Sequence, residues 1–262
     1  MVNGFDLAAS DYDVSFTHTH VGRLQRNRVY HFLTKHVFPN QKEQVLEVNC
    51  GTGEDALWLA TKSKHVIATD LSLEMLAQAR SKAASKGNIS FQALDLNTFG
   101  TTIFDHQFDL IFSNFGGLNC IAPEQMELFI DNAASKLQKG GQMALVIMPK
   151  KTFMERLYFL IKGEKQKAFR RNTTKAIMAN VEGKSVATWY YDPSDIEGYA
   201  KSSFKMVATK PIGLLVPPSY LESFFSTKRW LLSFLGWIDR RLDRFNSLSA
   251  YADHFLIILE KR

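Results

Sequence analysis

The chain has 262 residues with 45% hydrophobic and 12% aromatic content, enough for one large domain and too apolar for general disorder. No apolar run reaches the ~18 residues of a membrane span, the first residues lack a basic start leading into an apolar stretch, and two cysteines cannot make a disulfide framework, so a cytoplasmic protein is expected. The net charge of +6 is split: residues 1–149 carry 12 Lys/Arg against 15 Asp/Glu, residues 150–262 carry 20 against 11, which implies two different ligand-facing surfaces.

The first forty residues precede any strand pattern. Asp11, Tyr12, Asp13, Phe16, His18 and His20 form a mixed polar and aromatic stretch, and a helix is expected from about Val21 to Val37, ended by Pro39-Asn40. Next comes Gln44-Val-Leu-Glu-Val-Asn-Cys-Gly-Thr-Gly-Glu-Asp-Ala56. Val45, Leu46 and Val48 read as a buried strand, Gly51 and Gly53 as a tight turn, and Glu54 to Ala60 as a helix. A strand, a glycine turn and a helix make a nucleotide-binding corner, because glycine lets backbone approach a ligand closely. The spacing Gly51-x-Gly53-x-x-Ala56, with Asp70 nineteen residues after Gly51, also fits a dinucleotide pattern. A pyrophosphate would sit on the helix N-terminus, where Glu54 and Asp55, with Glu47 nearby, would repel it. Those carboxylates suit a cationic ligand such as S-adenosylmethionine.

At these residues, Glu47-Val-Asn49-Cys50-Gly51-Thr-Gly53, the chain resembles motif I of the class I S-adenosylmethionine-dependent methyltransferases. Asn49 stands where the family usually has its first glycine, and asparagine is the side chain best suited to a left-handed turn. The resemblance implies an α/β fold, a doubly wound, seven-stranded, mostly parallel sheet with its last strand antiparallel. It implies further that the leader folds over the cofactor, with Tyr12 and Phe16 lining the pocket. The plainer alternative is a leader packed on the sheet edge.

His65 to Asp70 reads as the second strand, Ser72 as a helix cap and Gly87 as that helix's end. Asp70 can accept both ribose hydroxyls with its two oxygens. The resemblance places Leu71 and Met75 against the adenine, although Met75 also suits a core. Ile89 to Leu94 is the third strand, followed by Asp95-Leu96; the resemblance implies that an acid here takes the adenine amino group while the neighbouring backbone meets a ring nitrogen, and the alternative is that Asp95 is a solvated loop acid. Phe108 to Asn114 is the fourth strand. In the family, the following loop, Phe115 to Asn119, is where acceptor meets sulfonium. Asn114-Phe-Gly-Gly lacks the prolines of adenine-N6 and glutamine-amide methylases. Pro123 opens a helix closed by Gly140-Gly141, and Met143 to Pro149 is the fifth strand. The alternation implies parallel strands with right-handed crossovers.

Beyond residue 149 a basic helical stretch runs from Lys150 to Arg171, then an extra strand from Lys184 to Tyr191 and a short helix opened by Pro193. Phe204 to Ile212 resembles the sixth strand of the family. Helical stretches follow around Leu221–Phe225 and Trp230–Leu242, and His254 to Glu260 is the last strand. The expected organisation is a lid segment and helix over 1–40, a cofactor-binding core over 41–149, an inserted cap over 150–203, and C-terminal core strands over 204–262 interrupted by a helical insertion at 213–250.

The resemblance assigns cofactor contacts to Glu47, Asn49, Cys50, Gly51, Gly53, Asp70, Leu71, Met75, Asp95, Leu96, Ser113, Asn114 and Phe115, and substrate contacts to Tyr12, Phe16 and Asn119. Methyl transfer from a sulfonium is an in-line displacement on an activated donor, so alignment dominates and a base serves only if the acceptor must lose a proton. His18, His20 and Tyr12 are the candidate bases, the two histidines sharing a face if their segment is extended. No metal-ligand spacing and no nucleophile motif is present. The leading expectation is transfer to a small, hydrophobic and anionic acceptor, of the kind used by a bacterial small-molecule branch of the family. Phe153, Leu157, Leu160 and Ile161, with Trp230, Leu231, Phe234 and Trp237, would supply its apolar cover. Lys150, Lys151, Arg156, Lys162, Lys165, Lys167, Arg170 and Arg171 would supply positive charge, which also suits peripheral contact with an anionic membrane. An RNA or protein methyltransferase is the alternative, disfavoured because the aromatics follow apolar helical patterns and make no RNA-binding motif. A nicotinamide-dependent oxidoreductase is the more distant one.

Overall fold

The computed structural model describes residues 4–181, 184–225 and 227–262. Apolar runs form the strands β1 (Lys42–Val48), β2 (Ser63–Asp70), β3 (Ile89–Ala93), β4 (Phe108–Ser113) and β5 (Leu137–Ile147). Between them run the helices α3 (Glu54–Leu59), α4 (Leu73–Lys82) and α5 (Pro123–Lys136), preceded by α1 (Gly4–Ala8) and α2 (His20–His36). The C-terminal half adds α6 (Phe153–Ile161), α7 (Lys165–Ala168), α8 (Pro193–Ala200), α9 (Glu222–Phe225) and α10 (Arg229–Leu242). Its strands are β6 (Ile177–Val181), β7 (Lys184–Thr188), β8 (Phe204–Ile212) and β9 (His254–Lys261).

Seven strands make one sheet in the order β3-β2-β1-β4-β5-β9-β8, parallel throughout the first five and antiparallel at both contacts of β9. The strands follow the period of two that a sheet buried on both faces demands. Leu46, Ile111, Met143 and Ile257 pack under α5 and α8 on one face. Val45, Leu110, Ala144 and Ile258 pack under α2, α3 and α4 on the other. The chain order reverses between β1 and β4, which opens a crevice at their carboxyl ends.

Three expectations are corrected. Gly87 does not end α4, which stops at Lys82 with Ala83 as its cap. Gly140-Gly141 does not close α5: the helix ends at Lys136, and the pair lies inside β5 where its register with β4 slips, Gly140 having φ of 74°. A bulge there uses glycine for the same left-handed freedom a helix end would. The extra strand is half of a hairpin, β6 with β7, standing apart from the main sheet.

The basic stretch is corrected too. Glu155, 1% exposed, binds Arg170 at 3.0 Å and Arg171 at 2.6 Å, and Arg171 also reaches Asp253 at 3.3 Å. Lys150 pairs with Asp195 at 2.6 Å, and Lys167 pairs with Glu164. Half of the expected cationic ring is thus neutralised within the fold, by Glu155 and Glu164 of the same stretch and by Asp195 and Asp253 that the fold brings to it.

Candidate active site

The crevice floor is built by backbone. Asn49, Gly51 and Gly53 take φ values of 57°, 52° and 79°, so alternate residues of the turn are left-handed and the chain doubles back before α3. A side chain at Gly53 would lie 2.8 Å from the Ala79 methyl carbon, so glycine there is required by α4. Asp70, at the end of β2, accepts from the Gly51 N–H at 2.8 Å and from the Ser72 N–H at 2.9 Å. Burial pushes its carboxyl up, and the backbone donors pull it back. Ser72 caps α4 at the Met75 N–H and donates to Asp6 of α1.

The leader closes over this floor. Residues Asp13–Thr17 form a π-helical turn, and Asp13 accepts from the Thr52 hydroxyl at 2.7 Å and pairs with Lys82. Tyr12, Phe16 and Phe115 make a chain of rings, with centroids 5.8 Å and then 5.1 Å apart. Phe115 holds φ at 45°, a costly conformation for an aromatic residue and one that clusters at functional sites. The cleft between leader and turn is lined by Tyr12, Arg26, Asn49, Gly51, Asp55 and Phe115, among others.

Arg26, on the buried face of α2, lies beside the Phe16 and Phe115 rings with its guanidinium 5.9 Å and 5.3 Å from their centroids. Its Nε is 3.6 Å from Asp55, which already accepts from the Tyr30 hydroxyl at 2.7 Å and Asn114 Nδ2 at 3.1 Å. Arg26 Nε and Nη1, Glu47 Oε2, Asn49 Oδ1 and Ser113 Oγ are all buried without a hydrogen-bond partner. Buried polar groups are almost always satisfied, so such a cluster at the carboxyl ends of β1 and β4 is what a site holds in readiness for a polar ligand. Burial, reinforced by Asp55, pushes the Glu47 carboxyl well above the usual carboxylate range.

The structure brings Tyr12, Asn49, Cys50, Gly51, Asn114 and Phe115 together around the cleft, with Glu47 beneath it and Asp70 behind the Gly51 amide. Phe16 joins them through its ring contacts with Tyr12 and Phe115, Ser113 through its buried hydroxyl at the end of β4, and Gly53 through the turn itself, whereas the remaining candidates lie apart. Met75 is buried under Phe5, Ala9 and Tyr12, and Leu71 is exposed. Asp95 caps the turn Leu96–Thr98 through the Asn97 N–H, while Leu96 packs against the core. Asn119 is fully buried and donates to the Met148 and Trp189 carbonyls while accepting from the Met148 N–H. Its amide is committed to backbone, so it clamps the end of β5 to the insertion and does not face the cleft.

The candidate bases fare no better. The π turn and the start of α2 break the extended segment that would align His18 with His20, and neither lines the cleft. Burial pushes the Tyr12 hydroxyl up to about 12, so it remains a phenol and a hydrogen-bond donor at neutral pH. Cys50 and Cys120 are free thiols. Sequence reasoning missed Arg26 and the Thr52–Asp13–Lys82 clasp. A single cation on the apolar face of α2 was the available signal for Arg26.

The methyltransferase-domain family matches residues 45–141. A demethylmenaquinone methyltransferase of Clavibacter sepedonicus is 30% identical over 141 residues, covering 54% of this chain and 55% of the relative. The chain thus spans about half the length of that curated relative. Among solved structures, the N-methyltransferase NodS of Bradyrhizobium japonicum WM9, in complex with S-adenosyl-L-homocysteine, superposes with a TM-score of 0.57 at 15% identity, covering 93% of this chain and 89% of that one. A DhpI-SAM-HEP complex superposes at 0.59 and 17% identity, covering 98% and 94%. At such identities the likeness is one of fold.

Proposed function

We propose that this chain, which has the fold of class I methyltransferases and matches the methyltransferase-domain family over residues 45–141, transfers a methyl group from S-adenosylmethionine to a small molecule. The observation that carries the reading is the cleft's double character. Arg26 offers buried N–H groups without partners beside the carboxyls of Glu47 and Asp55. S-adenosylmethionine carries a carboxylate, an ammonium and a sulfonium close together, and needs both signs of charge at one place. A pyrophosphate would find the acids repulsive.

Arg26 takes the amino-acid carboxylate, Asp55 supplies the negative charge facing the positive groups, and Glu47, which burial keeps protonated in the unliganded fold, offers its carbonyl oxygen to the ammonium. Asn49, Gly51 and Gly53 bring backbone to the ligand, with Cys50, Ser113, Asn114 and Phe115 as the surrounding wall. Asp70 meets the ribose, with Leu71, Met75, Asp95 and Leu96, which follow the carboxyl ends of β2 and β3, on the adenine side. The bound sulfonium supplies an activated methyl group. The residues of this chain orient it, exclude water beneath the leader and present Phe115 and Phe16 to the acceptor. Those rings favour an apolar acceptor. Its expected acidic group has less support, since Arg170 and Arg171 are occupied by Glu155.

Calorimetric titration with S-adenosylmethionine, S-adenosylhomocysteine and NAD tests the reading. Binding of the first two and none of NAD is expected. Tight NAD binding with no response to the sulfonium would overturn it.

A further inference from the structure

The two apolar helices of the C-terminal half share one small core. Tyr158 of α6 and Leu231, Leu232 and Leu235 of α10 pack with Val21, Val216 and Leu221. From that root each helix turns an apolar stripe outward. On α10 the stripe is Trp230, Phe234 and Trp237, 73%, 51% and 45% exposed. On α6 it is Phe153, Leu157, Leu160 and Ile161, all exposed. Scattered exposed apolar residues are ordinary, but two helices with i, i+4, i+7 stripes turned to water are not.

Charge says what covers them. The acids of this region are occupied, and all but Glu164, which pairs with Lys167 just beyond α6, are turned inward. Asp239 accepts from the Leu215 and Val216 N–H groups, Asp243 pairs with Arg28, and Glu222 accepts from the His20 and Val21 N–H groups at the start of α2. The cations stay outside. Arg229, Arg240, Arg241, Arg244, Lys162 and Lys165 join no ion pair among the described residues, and Arg241 lies 4.6 Å from the Trp237 ring centroid. An outer face of aromatic and cationic groups whose one part-exposed acid, Glu164, is already paired is complementary to an anionic, apolar-cored surface. A second copy of this chain would bring the same cations and repel. No described helix is long and apolar enough to cross a membrane.

We propose that the outward faces of α10 and α6 form a docking surface for an anionic lipid bilayer, on which α10 lies in the interface with Trp230, Phe234 and Trp237 below the headgroups. Tryptophan favours that depth, and the arginines meet lipid phosphates. The surface adjoins the leader: Glu222 caps α2, and α2 carries Arg26. A membrane-dissolved acceptor would therefore reach the cleft from the side on which the protein sits. Attachment itself requires no methyl transfer, so its failure and that of the proposed activity are distinguishable.

The test is cosedimentation of the full chain with phosphatidylcholine vesicles containing or lacking phosphatidylglycerol, at low and high salt, with tryptophan emission recorded. Binding to the anionic vesicles at low salt, a blue shift and weakening at high salt are expected. The variant Trp230→Ser/Phe234→Ser/Trp237→Ser should lose at least about tenfold in partitioning, as should Arg240→Glu/Arg241→Glu, which keeps the apolar stripe and covers the case of a misfolded first variant. Both should bind S-adenosylmethionine as the parent does. A parent that stays in the supernatant with anionic vesicles overturns the proposal. So does undiminished binding by the folded variants, or a vesicle-independent dimer that the serine variant abolishes.

Discussion

Arg26 and Arg171 are equally buried, at 7% and 6% exposure, yet their surroundings differ in kind. Arg171 is enclosed by acceptors: both oxygens of Glu155, the Asp253 carboxylate and the Asp253 carbonyl. Arg26 has one carboxylate at 3.6 Å and leaves Nε and Nη1 without hydrogen bonds. The charge of both is favoured despite burial, by Asp55 at Arg26 and by Glu155 and Asp253 at Arg171. A buried arginine fully paired by its own chain holds two segments together. One left incompletely paired in a cleft is poised for a partner from outside. Here the first joins the insertion to the start of β9, and the second faces the glycine turn.

The contrast is sharpest under the same substitution at both sites. Arg171→Met should destabilise the fold by about 3 kcal/mol, the low end of the range for breaking a buried ion pair, since it takes the closer cation from Glu155 and one partner from Asp253 while the half-exposed Arg170 stays on Glu155. Denaturant unfolding measures this, and a loss below about 1 kcal/mol would mean the cluster is not a staple. Arg26→Met should instead weaken S-adenosylmethionine binding by about 1.5–3 kcal/mol, the range for a hydrogen bond to a charged group, and cost less stability than Arg171→Met. Asp55 keeps its Tyr30 and Asn114 donors in that variant. Equal stability losses at the two positions would erase the distinction. Asp70→Ala should cost affinity in the same range as Arg26→Met; unchanged affinity would remove the ribose contact.

The two arginines also show what the sequence could reveal. The strands and their order of use were legible because a doubly covered sheet demands continuous apolar runs, and the glycine turn because its spacing follows from backbone geometry. Gly51, Asn49 and Asp70 lie within that local grammar. Arg26 does not. It precedes the turn by 25 residues, and only the packing of α2 brings it to β1. The Arg171–Glu155 pair was read as a cationic run because sequence shows charge without direction. Asn119 was misread for the same reason: a loop asparagine is a ligand or a clamp according to which carbonyls surround it. Five-residue β6, Ile-Met-Ala-Asn-Val, is too short to give a periodic signal, and Gly140 announced a left-handed residue without saying whether a helix end or a bulge required it.

The leader clasp is a weaker element of the same site. Asp13→Ala removes the contacts to buried Thr52 and partly exposed Lys82, but the Thr52 hydroxyl still accepts from Lys82 at 3.0 Å, so stability should change by no more than about 1 kcal/mol. Turnover should fall several-fold if the clasp holds the leader over the reacting groups. Steady-state kinetics at saturating cofactor separates the two effects. Unchanged turnover would make the clasp a surface ion pair and nothing more.

Acidity separates the two regions more subtly. Burial raises Glu47, beside Arg26, well above its ordinary value of 4.5. Burial alone would raise Asp253 too, but His254 and Arg171 outweigh it and hold that carboxyl well below the usual range. The signs are opposite. Above pH 4.5 the unfolded chain has released the Glu47 proton while the folded chain still holds it, so stability falls as pH rises through that window. Asp253 contributes stability that is present above its unfolded value and lost only as pH falls through its depressed folded one. Glu47→Gln should therefore flatten the stability profile above pH 4.5 and leave the acid limb in place. Unfolding midpoints across the range read this directly. A variant profile parallel to the parent's on the neutral side would mean that Glu47 is ionised in the folded chain, with Arg26 as its partner after all.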